Sequence, residues 1–429
     1  MSEFHEDKRA DVIIVGAGAA GLMTAIITAR AAPHLRVVAL EGARKVGAKI
    51  LVSGGGRCNV TNVTVKPADF YGGNQNVIKN VLAAFDENAT VSFFKELDVE
   101  LHEEEFGKLF PNSGSARTVV NGLLAEAERH AVGILTGHRV SSIATASTTD
   151  GFSLTVTTEG NIVPEEWHAR CVVLATGGRS LPKTGSDGRG YAFAESLRHR
   201  LVETTPALDP ILLDGTFHGP LSGISHEMLL TLQAEGWKPV RIQGPALWTH
   251  FGLSGPTPLN MSRFWNRAVL EARAPRLYLN FVSGLEFADV EKHLLVQAKD
   301  RPKTTITVAL RHWLPARVAE ALVQHAGIPP RIELGSLGRD QRRTVVHSLT
   351  ALPLAVTGSR GYRFAEVTAG GVSLKDINPK SMESRKTPGL FLVGEILDVD
   401  GRIGGFNFQW AWASGYVAGM ALARSLSKE

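Results

Sequence analysis

The segment 11–41 constrains the fold of this chain more than any other stretch. Four apolar residues, Val12–Val15, predict a strand buried on both faces. Glycines at 16, 18 and 21 then have the G-x-G-x-x-G spacing and lead into an alanine-rich helix. A second apolar run, Leu35–Leu40, ends in Glu41. Strand, glycines, helix, second strand and terminal acid together predict a βαβ unit that binds a dinucleotide.

Each part of this unit has a mechanical role. The first glycine permits a tight turn, the second lets a pyrophosphate approach the backbone, and the third lets the helix pack closely on the sheet. The helix N-terminus favours the negative phosphates. The acid, 20 residues beyond the last glycine, is placed to accept hydrogen bonds from a ribose 2′-hydroxyl. The residues predicted to bind the dinucleotide here are Gly16, Gly18, Ala19, Ala20, Gly21 and Glu41.

Composition excludes several classes of protein. With 429 residues, 44% of them hydrophobic, the chain is expected to form more than one globular domain. The net charge of +4 comes without a long basic run, which predicts neither a nucleic-acid nor a membrane partner. Only two cysteines and a polar segment 1–10 without a signal peptide predict a cytoplasmic protein.

A glycine-rich segment, 47–62, is the second candidate for ligand contact. Its low side-chain bulk lets the backbone press against a flat ligand, and Lys49, Ser53, Gly54 and Asn59 are predicted to contact the cofactor. Lys49 is also a candidate catalytic residue; the alternative is a solvated loop lysine. Cys58 is interpreted as a packing residue, because the chain offers no second cysteine nearby for a redox pair.

Two later stretches predict the rest of the cofactor site. Short strands between 134 and 174, one of which contains Val140, run into Ala175-Thr176-Gly177, and the order is typical of flavoproteins with a dinucleotide fold. A buried strand, Leu390–Val393, precedes a glycine-rich turn and a helix whose N-terminus would favour negative charge on a reduced flavin. The residues predicted to bind cofactor here are Val140, Ala175, Thr176, Gly177, Gly394, Glu395, Gly404, Gly405, Phe406 and Asn407.

The predicted fold is α/β: a dinucleotide fold with a parallel sheet and a β-meander, interrupted by an insert. Residues 1–198 form the first part of the cofactor domain, and 351–429 form its C-terminal part. Residues 199–284 are strand-like and predict an inserted β-rich domain, whereas 285–350 have helical periodicity and predict a helical subdomain.

Five stretches together resemble one bacterial family, the aminoacetone oxidase-like FAD flavoproteins, which includes the bile-acid-inducible flavoprotein BaiN. They are Gly16–Gly21, Lys49–Asn62, Ala175–Tyr191, Thr249–Pro256 and Gly394–Gly415. The resemblance implies FAD in the first site and an insert that closes over the flavin. The chain departs from the family at Arg402-Ile403, where an acidic residue is expected.

The expected activity is FAD-dependent oxidation of a small amine-type substrate, with hydride transfer to flavin N5 and reoxidation by dioxygen. The alternative is an NAD(P)H-linked reductase of an activated double bond, and a third possibility is a non-enzymatic flavin-carrying interaction protein. His250, in the insert, is a candidate general acid or base or, equally, a histidine that only supports the fold. Spacing of His, Cys, Asp and Glu predicts no metal site.

Overall fold

A computed structural model describes residues 8–146, 151–158, 160 and 163–427. Residues 1–7, which carry most of the segment used to predict that no signal peptide is present, lie outside this description. The chain forms two compact units. The first comprises the residues up to Thr204 and those from Val367 onward, and the second is Thr205–Glu366.

The helices and strands fall into three consecutive passages of the chain. The first passage holds β1 Arg9–Val15, α1 Ala19–Ala31, β2 Val37–Glu41, α2 Ala48–Val52, β3 Thr61–Asn62, β4 Phe70–Gly72, α3 Gln75–Ala84, α4 Glu87–Glu96, β5 Leu101–Glu104, β6 Lys108–Pro111, α5 Ala116–Arg129, β7 Gly133–Thr136, β8 His138–Thr145, β9 Phe152–Thr158, β10 Glu165–Leu174, α6 Arg189–Ser196 and β11 Leu201–Ala207. The middle passage holds β12 Ile211–Leu213, β13 Ser225–Gln233, β14 Val240–Thr249, β15 Gly252–Ser254, α7 Pro256–Leu270, β16 Arg276–Asn280, α8 Phe287–Asp300, α9 Ile306–Leu310, α10 Ala316–His325, α11 Arg339–Thr350, β17 Leu352–Leu354 and β18 Val356–Ser359. The last passage holds β19 Val367–Val372, β20 Leu390–Leu392, β21 Val399–Gly401 and α12 Phe406–Leu426.

The main sheet of the first unit has seven strands in the order β7-β2-β1-β10-β9-β8, with β20 also paired to β10. Strands β7, β2, β1, β10 and β20 run parallel. The first half of β10 pairs with β9 antiparallel and its second half with β20, so one long strand joins the meander to the parallel sheet. The chain passes from β1 to β2 on one side of β1, and β10 lies on the other side. This is the arrangement in which α/β proteins bind ligands at the carboxyl ends of the strands.

Burial explains the apolar character of the central strands. Val12, Ile13 and Ile14 of β1 are fully buried, because helices and strands cover both faces of the sheet. Helices α1 and α12 pack against each other in this core. Within the described residues, no helix is both long and apolar enough to cross a membrane. The predicted α/β fold with a Rossmann-type parallel sheet and a meander is confirmed.

The second unit is built on an antiparallel sheet of seven strands in the order β17-β16-β13-β14-β15-β12-β18. Helices α7 to α11 contribute to the same hydrophobic core as these strands; Trp248 of β14, Val290 of α8 and Val345 of α11, for example, are all buried in it. The strand-rich and helical parts of the insert therefore share one core, in place of the separate β-rich domain and helical subdomain predicted from the sequence.

Two further details of the predicted insert were wrong. The sequence predicts strand-like structure for 199–284, but the region contains the 15-residue helix α7. Prolines stand at its first and third positions, where the first turn of a helix tolerates them. The predicted end at residue 350 also differs from the structure, because β17 and β18 pair with β16 and β12 and so belong to the insert.

Candidate cofactor site

The glycine-rich turn after β1 is shaped by close backbone contacts. Gly16 has φ +103°, and a Cβ there would lie 2.6 Å from the Ala175 carbonyl oxygen. A Cβ on Gly21 would collide with the Gly16 carbonyl oxygen. At Gly18, by contrast, a Cβ would meet nothing within 4 Å. Two glycines are therefore required by packing, and the middle one, at the N-cap of α1, leaves open space where a phosphate is expected to bind. Ala19 and Ala20 begin α1.

Glu41, the last residue of β2, is held in place by backbone donors. Its two carboxylate oxygens accept hydrogen bonds from the N–H groups of Ala17 (2.9 Å) and Ala43 (2.8 Å). Burial raises the pKa of Glu41, and these two N–H groups and Arg139 oppose the increase. A carboxylate oxygen can accept more than one hydrogen bond, so Glu41 can also bind ribose hydroxyls.

Arg139 forms an ion pair with Asp187, and next to them Gly42, Arg44 and Gly137 line an open cleft of about 380 Å³.

The loop after α2 turns tightly at residues 53–56, where Gly54 and Gly55 have left-handed backbone with φ +55° and +70°. The Ser53 hydroxyl donates to the Ile50 carbonyl at 2.8 Å. The Asn59 side-chain amide is assigned the orientation that satisfies both of its polar atoms. Its NH₂ group then donates to the Thr61 carbonyl, and its oxygen accepts from the Gly405 N–H at 3.0 Å. Hydrogen bonds thus connect this loop with the start of α12.

Cys58 ends the same loop and is buried at φ +64°. Burial raises the pKa of its thiol to about 12, and a hydrogen bond with Ser53 acts in the opposite direction. A thiol with such a pKa is a poor nucleophile at neutral pH. The interpretation of Cys58 as a packing residue is confirmed.

Lys49 is part of a polar network that joins four segments of the first unit. Its Nζ lies 2.6 Å from Glu395 Oε2 and 2.8 Å from the Ser180 hydroxyl. The other oxygen of Glu395 accepts from the Ser180 hydroxyl (2.7 Å) and from the Thr368 N–H (2.9 Å). Lys49 is thus not a solvated loop lysine. Ser180 and Thr368 were absent from the residues predicted from the sequence. A threonine before two glycines, Thr368-Ala369-Gly370-Gly371, was the available signal.

The start of α12 is explained in part by packing. Gly405 has φ +93°, and a Cβ there would collide with the Thr61 carbonyl; Gly404 has φ +128° and its carbonyl accepts from the Asn62 amide. The Asn407 amide both donates to and accepts from the Gly401 backbone. The predicted effect of the helix N-terminus on a reduced flavin therefore stays a prediction, because packing alone requires glycine at 405.

Arg402, where the chain departs from the family pattern, has its own partners. Its Nε donates to Asp69 Oδ1 at 2.7 Å, and its guanidinium lies 4.0 Å from the centroid of the Phe406 ring. Asp69 supplies the negative charge that balances this arginine. Sequence reasoning missed the pair, because 333 residues separate its members.

The remaining predicted residues lie at the strand ends or in the core. Ala175, Thr176 and Gly177 follow β10, and the Ala175 N–H donates to the Val15 carbonyl at 3.0 Å. Gly394 donates its N–H to Ser414 and accepts from the Trp410 indole. Val140 is buried in β8. The aromatic side chains of Tyr191, Trp410 and Trp412 are buried in the core.

His250 lies in the second unit, exposed on the turn between β14 and β15. Its ring meets the Phe251 ring edge-to-face, with centroids 5.0 Å apart. The structure thus places His250 in a different unit from the predicted cofactor residues. Among the residues that the structure describes, no group of three or more His, Cys, Asp or Glu side chains has the arrangement of a metal site.

The site fits a flavin dinucleotide on three observations. The β1–α1 turn leaves an open position at Gly18, the N-cap of α1, and Glu41 is held at the end of β2. The ends of β1 and β10 are in contact at the point where the strand order reverses. These residues would hold the diphosphate and the adenosine ribose.

A family model described as the HI0933-like protein Rossmann domain matches residues 10–421. The chain belongs to the HI0933-like family. It is 34% identical over 427 residues to the ribosomal RNA dihydrouridine synthase of Escherichia coli K12, with 98% of this chain and 100% of the relative covered. It is 31% identical over 410 residues to the 3-dehydro-bile acid delta(4,6)-reductase of Clostridium scindens, with 96% and 98% covered.

Two solved structures share the fold at low identity. The 3-ketosteroid delta1-dehydrogenase of Sterolibacterium denitrificans matches with a TM-score of 0.54 at 13% identity, covering 97% of this chain and 100% of its own. E. coli quinol fumarate reductase FrdA matches with a TM-score of 0.52 at 17% identity, covering 98% and 71%. The prediction of FAD as cofactor is confirmed, as is membership of a flavin oxidoreductase family with a bile-acid reductase member. The narrower assignment to aminoacetone oxidases stays a prediction.

Proposed function

We propose that this protein is an FAD-dependent reductase of a carbon–carbon double bond conjugated to a carbonyl group, with uridine in ribosomal RNA as substrate. The observation that carries the proposal is the full-length similarity to two relatives of different names. A dihydrouridine synthase and a delta(4,6)-reductase share one chemical step, the reduction of such a double bond. The synthase name recurs at 32% identity over 426 residues for Haemophilus influenzae.

This proposal reverses the order of the two enzymatic activities predicted from the sequence. Reduction with NAD(P)H as electron source moves ahead of amine oxidation by dioxygen, because both named activities are reductions. It also replaces the expectation of no nucleic-acid partner. Residues 205–366 contain 18 lysines and arginines against 13 aspartates and glutamates, whereas the rest of the chain contains 28 against 29. The positive charge of the protein therefore belongs to the insert, which is where we place the contact with a polyanion.

Reducing the double bond adds a hydride to one carbon and a proton to the other. When bound, FAD supplies the hydride from its reduced form. We assign proton donation to His250, the exposed imidazole in the Thr249–Pro256 motif. Lys49 is assigned a positioning role, since its ammonium is hydrogen-bonded to Glu395 and Ser180.

Anaerobic stopped flow tests the proposal. The reduced holoenzyme is mixed with unmodified ribosomal RNA transcript, with a steroid dienone, or with buffer, and the return of oxidised flavin absorbance is followed. We expect RNA to reoxidise the flavin and to gain two hydrogens per modified uridine by mass spectrometry. Reduction of the flavin by aminoacetone, with rapid reoxidation by dioxygen and inertness toward NADPH and RNA, would instead support the amine oxidase.

A further inference from the structure

An arginine lies between two phenylalanine rings on the surface of the insert. The Arg360 guanidinium carbon is 3.4 Å from the centroid of the Phe364 ring and 4.6 Å from that of Phe251. Phe364 remains 45% exposed. We call Phe251, Arg360 and Phe364 the Arg360 stack. His250 lies beside it through its contact with Phe251.

The backbone of the stack is fixed by one short strand. In β12, Ile211 pairs with Leu253 of β15 and with Ser359 of β18. The Phe251 carbonyl accepts from the Leu213 N–H at 3.0 Å, and the Arg360 N–H donates to the Pro210 carbonyl at 3.1 Å. Both segments that carry the stack are therefore anchored to β12. A surface that is ordered before binding loses less entropy when a ligand docks.

The surroundings of the two exposed phenylalanines, Phe364 and Phe106, differ in charge. Within the described residues, Phe106 and Phe364 are the exposed large aromatic side chains. Phe106 is 60% exposed, has the Lys108 ammonium 5.5 Å from its ring centroid, and follows three consecutive glutamates at 103–105. Phe364 follows the exposed Arg363 and lies in the unit with the excess of basic residues. A polyanion is attracted to the second setting and repelled by the first.

We propose that the Arg360 stack is a base-stacking platform that docks a single-stranded nucleotide of the RNA substrate. A base stacks on the exposed ring of Phe364, while Arg360 and Arg363 attract the adjoining phosphates. Stacking on aromatic rings beside arginine is how proteins hold unpaired bases. The platform rests on the proposed function for the identity of its ligand, since the similarity to ribosomal RNA dihydrouridine synthases argues for RNA.

The experiment is fluorescence anisotropy of the holoprotein with fluorescein-labelled, single-stranded oligouridine RNA. Phe364→Ala is expected to weaken binding about tenfold or more, and Phe364→Trp to retain it within about twofold. Arg360→Lys keeps the charge but loses the planar stack, so a loss of about threefold or more is expected. Phe106→Ala is the matched control, with an unchanged dissociation constant. Flavin content and thermal melting confirm that each variant is folded.

Three outcomes overturn the platform: no RNA binding by the wild-type protein, equal effects of Phe364→Ala and Phe106→Ala, or loss of binding in Phe364→Trp as severe as in Phe364→Ala. The anaerobic stopped-flow test of the proposed function can fail independently of this binding test. RNA that binds through Phe364 but never reoxidises the flavin leaves the platform standing and removes the proposed function. If RNA reoxidises the flavin of the wild-type protein but binds Phe364→Ala as tightly as wild type, the proposed function stands and the platform is removed.

Discussion

The two units differ in what shapes their candidate sites. In the first unit the site is mainly backbone geometry: glycines without room for a Cβ, strand ends in contact, and a carboxylate held by two N–H groups. In the second unit the notable surface feature is a set of side chains, an arginine between two aromatic rings. Where a Cβ has no room, as at Gly16 and Gly21, such a site tolerates few substitutions. Side chains on turns beside a sheet can be changed without loss of the fold.

The largest effect is expected at Gly21 of the first unit. Gly21→Val forces a side chain into the Gly16 carbonyl, where overpacking typically costs about 1–3 kcal/mol or more and disturbs the turn. We expect little soluble, flavin-loaded protein. Gly18→Ala has space for its methyl group, so it should fold normally but bind FAD more weakly. Expression yield, thermal melting and flavin content distinguish the two; equal behaviour would contradict the assignment of separate roles.

Buried carboxylates of the two units should respond to pH in opposite directions. Burial raises the pKa of Asp209 in the insert to about 6, against hydrogen bonds from Ser359 and Gly361 and the charge of Arg360. In the first unit, burial also acts to raise the pKa of Asp376, but hydrogen bonds from Arg200 and Lys386 outweigh it and hold the pKa well below its usual range.

The signs follow from proton binding. Between pH 3.8 and about 6, folded Asp209 binds more protons than unfolded Asp209, so its contribution to stability falls as pH rises, by about 3 kcal/mol in all. Asp376 stabilises fully above pH 3.8 and loses this contribution as pH falls below it. Asp209→Asn should flatten the pH dependence of melting between pH 4 and 6, whereas Asp376→Asn should alter it only at lower pH. Identical pH profiles for the two variants would contradict this contrast.

Glu41 is expected to have an intermediate effect, on FAD affinity. Glu41→Gln keeps one acceptor oxygen for the backbone N–H groups but loses the charge, and each charge-assisted hydrogen bond contributes about 1.5–3 kcal/mol. We expect FAD affinity to fall about tenfold or more. Glu41→Ala also removes the support of the Ala17 and Ala43 N–H groups, so it should melt at a lower temperature than Glu41→Gln. Equilibrium dialysis against FAD measures the affinity, and full flavin retention would show that Glu41 only supports the turn.

The smallest expected effects compare one ion pair from each unit. Lys49 and Glu395 are 2.6 Å apart and share further hydrogen bonds, whereas Arg342 and Glu291 in the insert are 3.5 Å apart. Lys49→Met should cost about 1–2 kcal/mol of stability, and Arg342→Met less than about 1 kcal/mol. Chemical denaturation of the holoprotein measures both. Equal costs would show that the network around Glu395 adds nothing to the simple ion pair.

The sequence predicts the first unit better than the insert, because the cofactor turn depends on residues that are neighbours in the chain. The cofactor turn follows from local spacing, and its elements were predicted within a few residues: β1, α1, β2 and the C-terminal helix all occur as expected. In the insert, α7 was missed because the whole of 199–284 was interpreted as strand-like, although the buried Met261, Trp265 and Ala268 have helical spacing.

The sequence by itself determined the βαβ cofactor unit, the identity of FAD through a family resemblance, and the packing role of Cys58. The unit and the cysteine depend on residues close together in the chain, and the resemblance rests on five motifs that are each short and local. Only the tertiary structure decided the partners of Lys49 and Arg402, the common core of the insert, and the meeting of Phe251 with Arg360. The members of the Lys49 network, Lys49, Ser180, Thr368 and Glu395, come from four distant segments. Spacing along a chain carries no information about which distant side chains a sheet and its loops bring together, and such contacts form only when the core is packed.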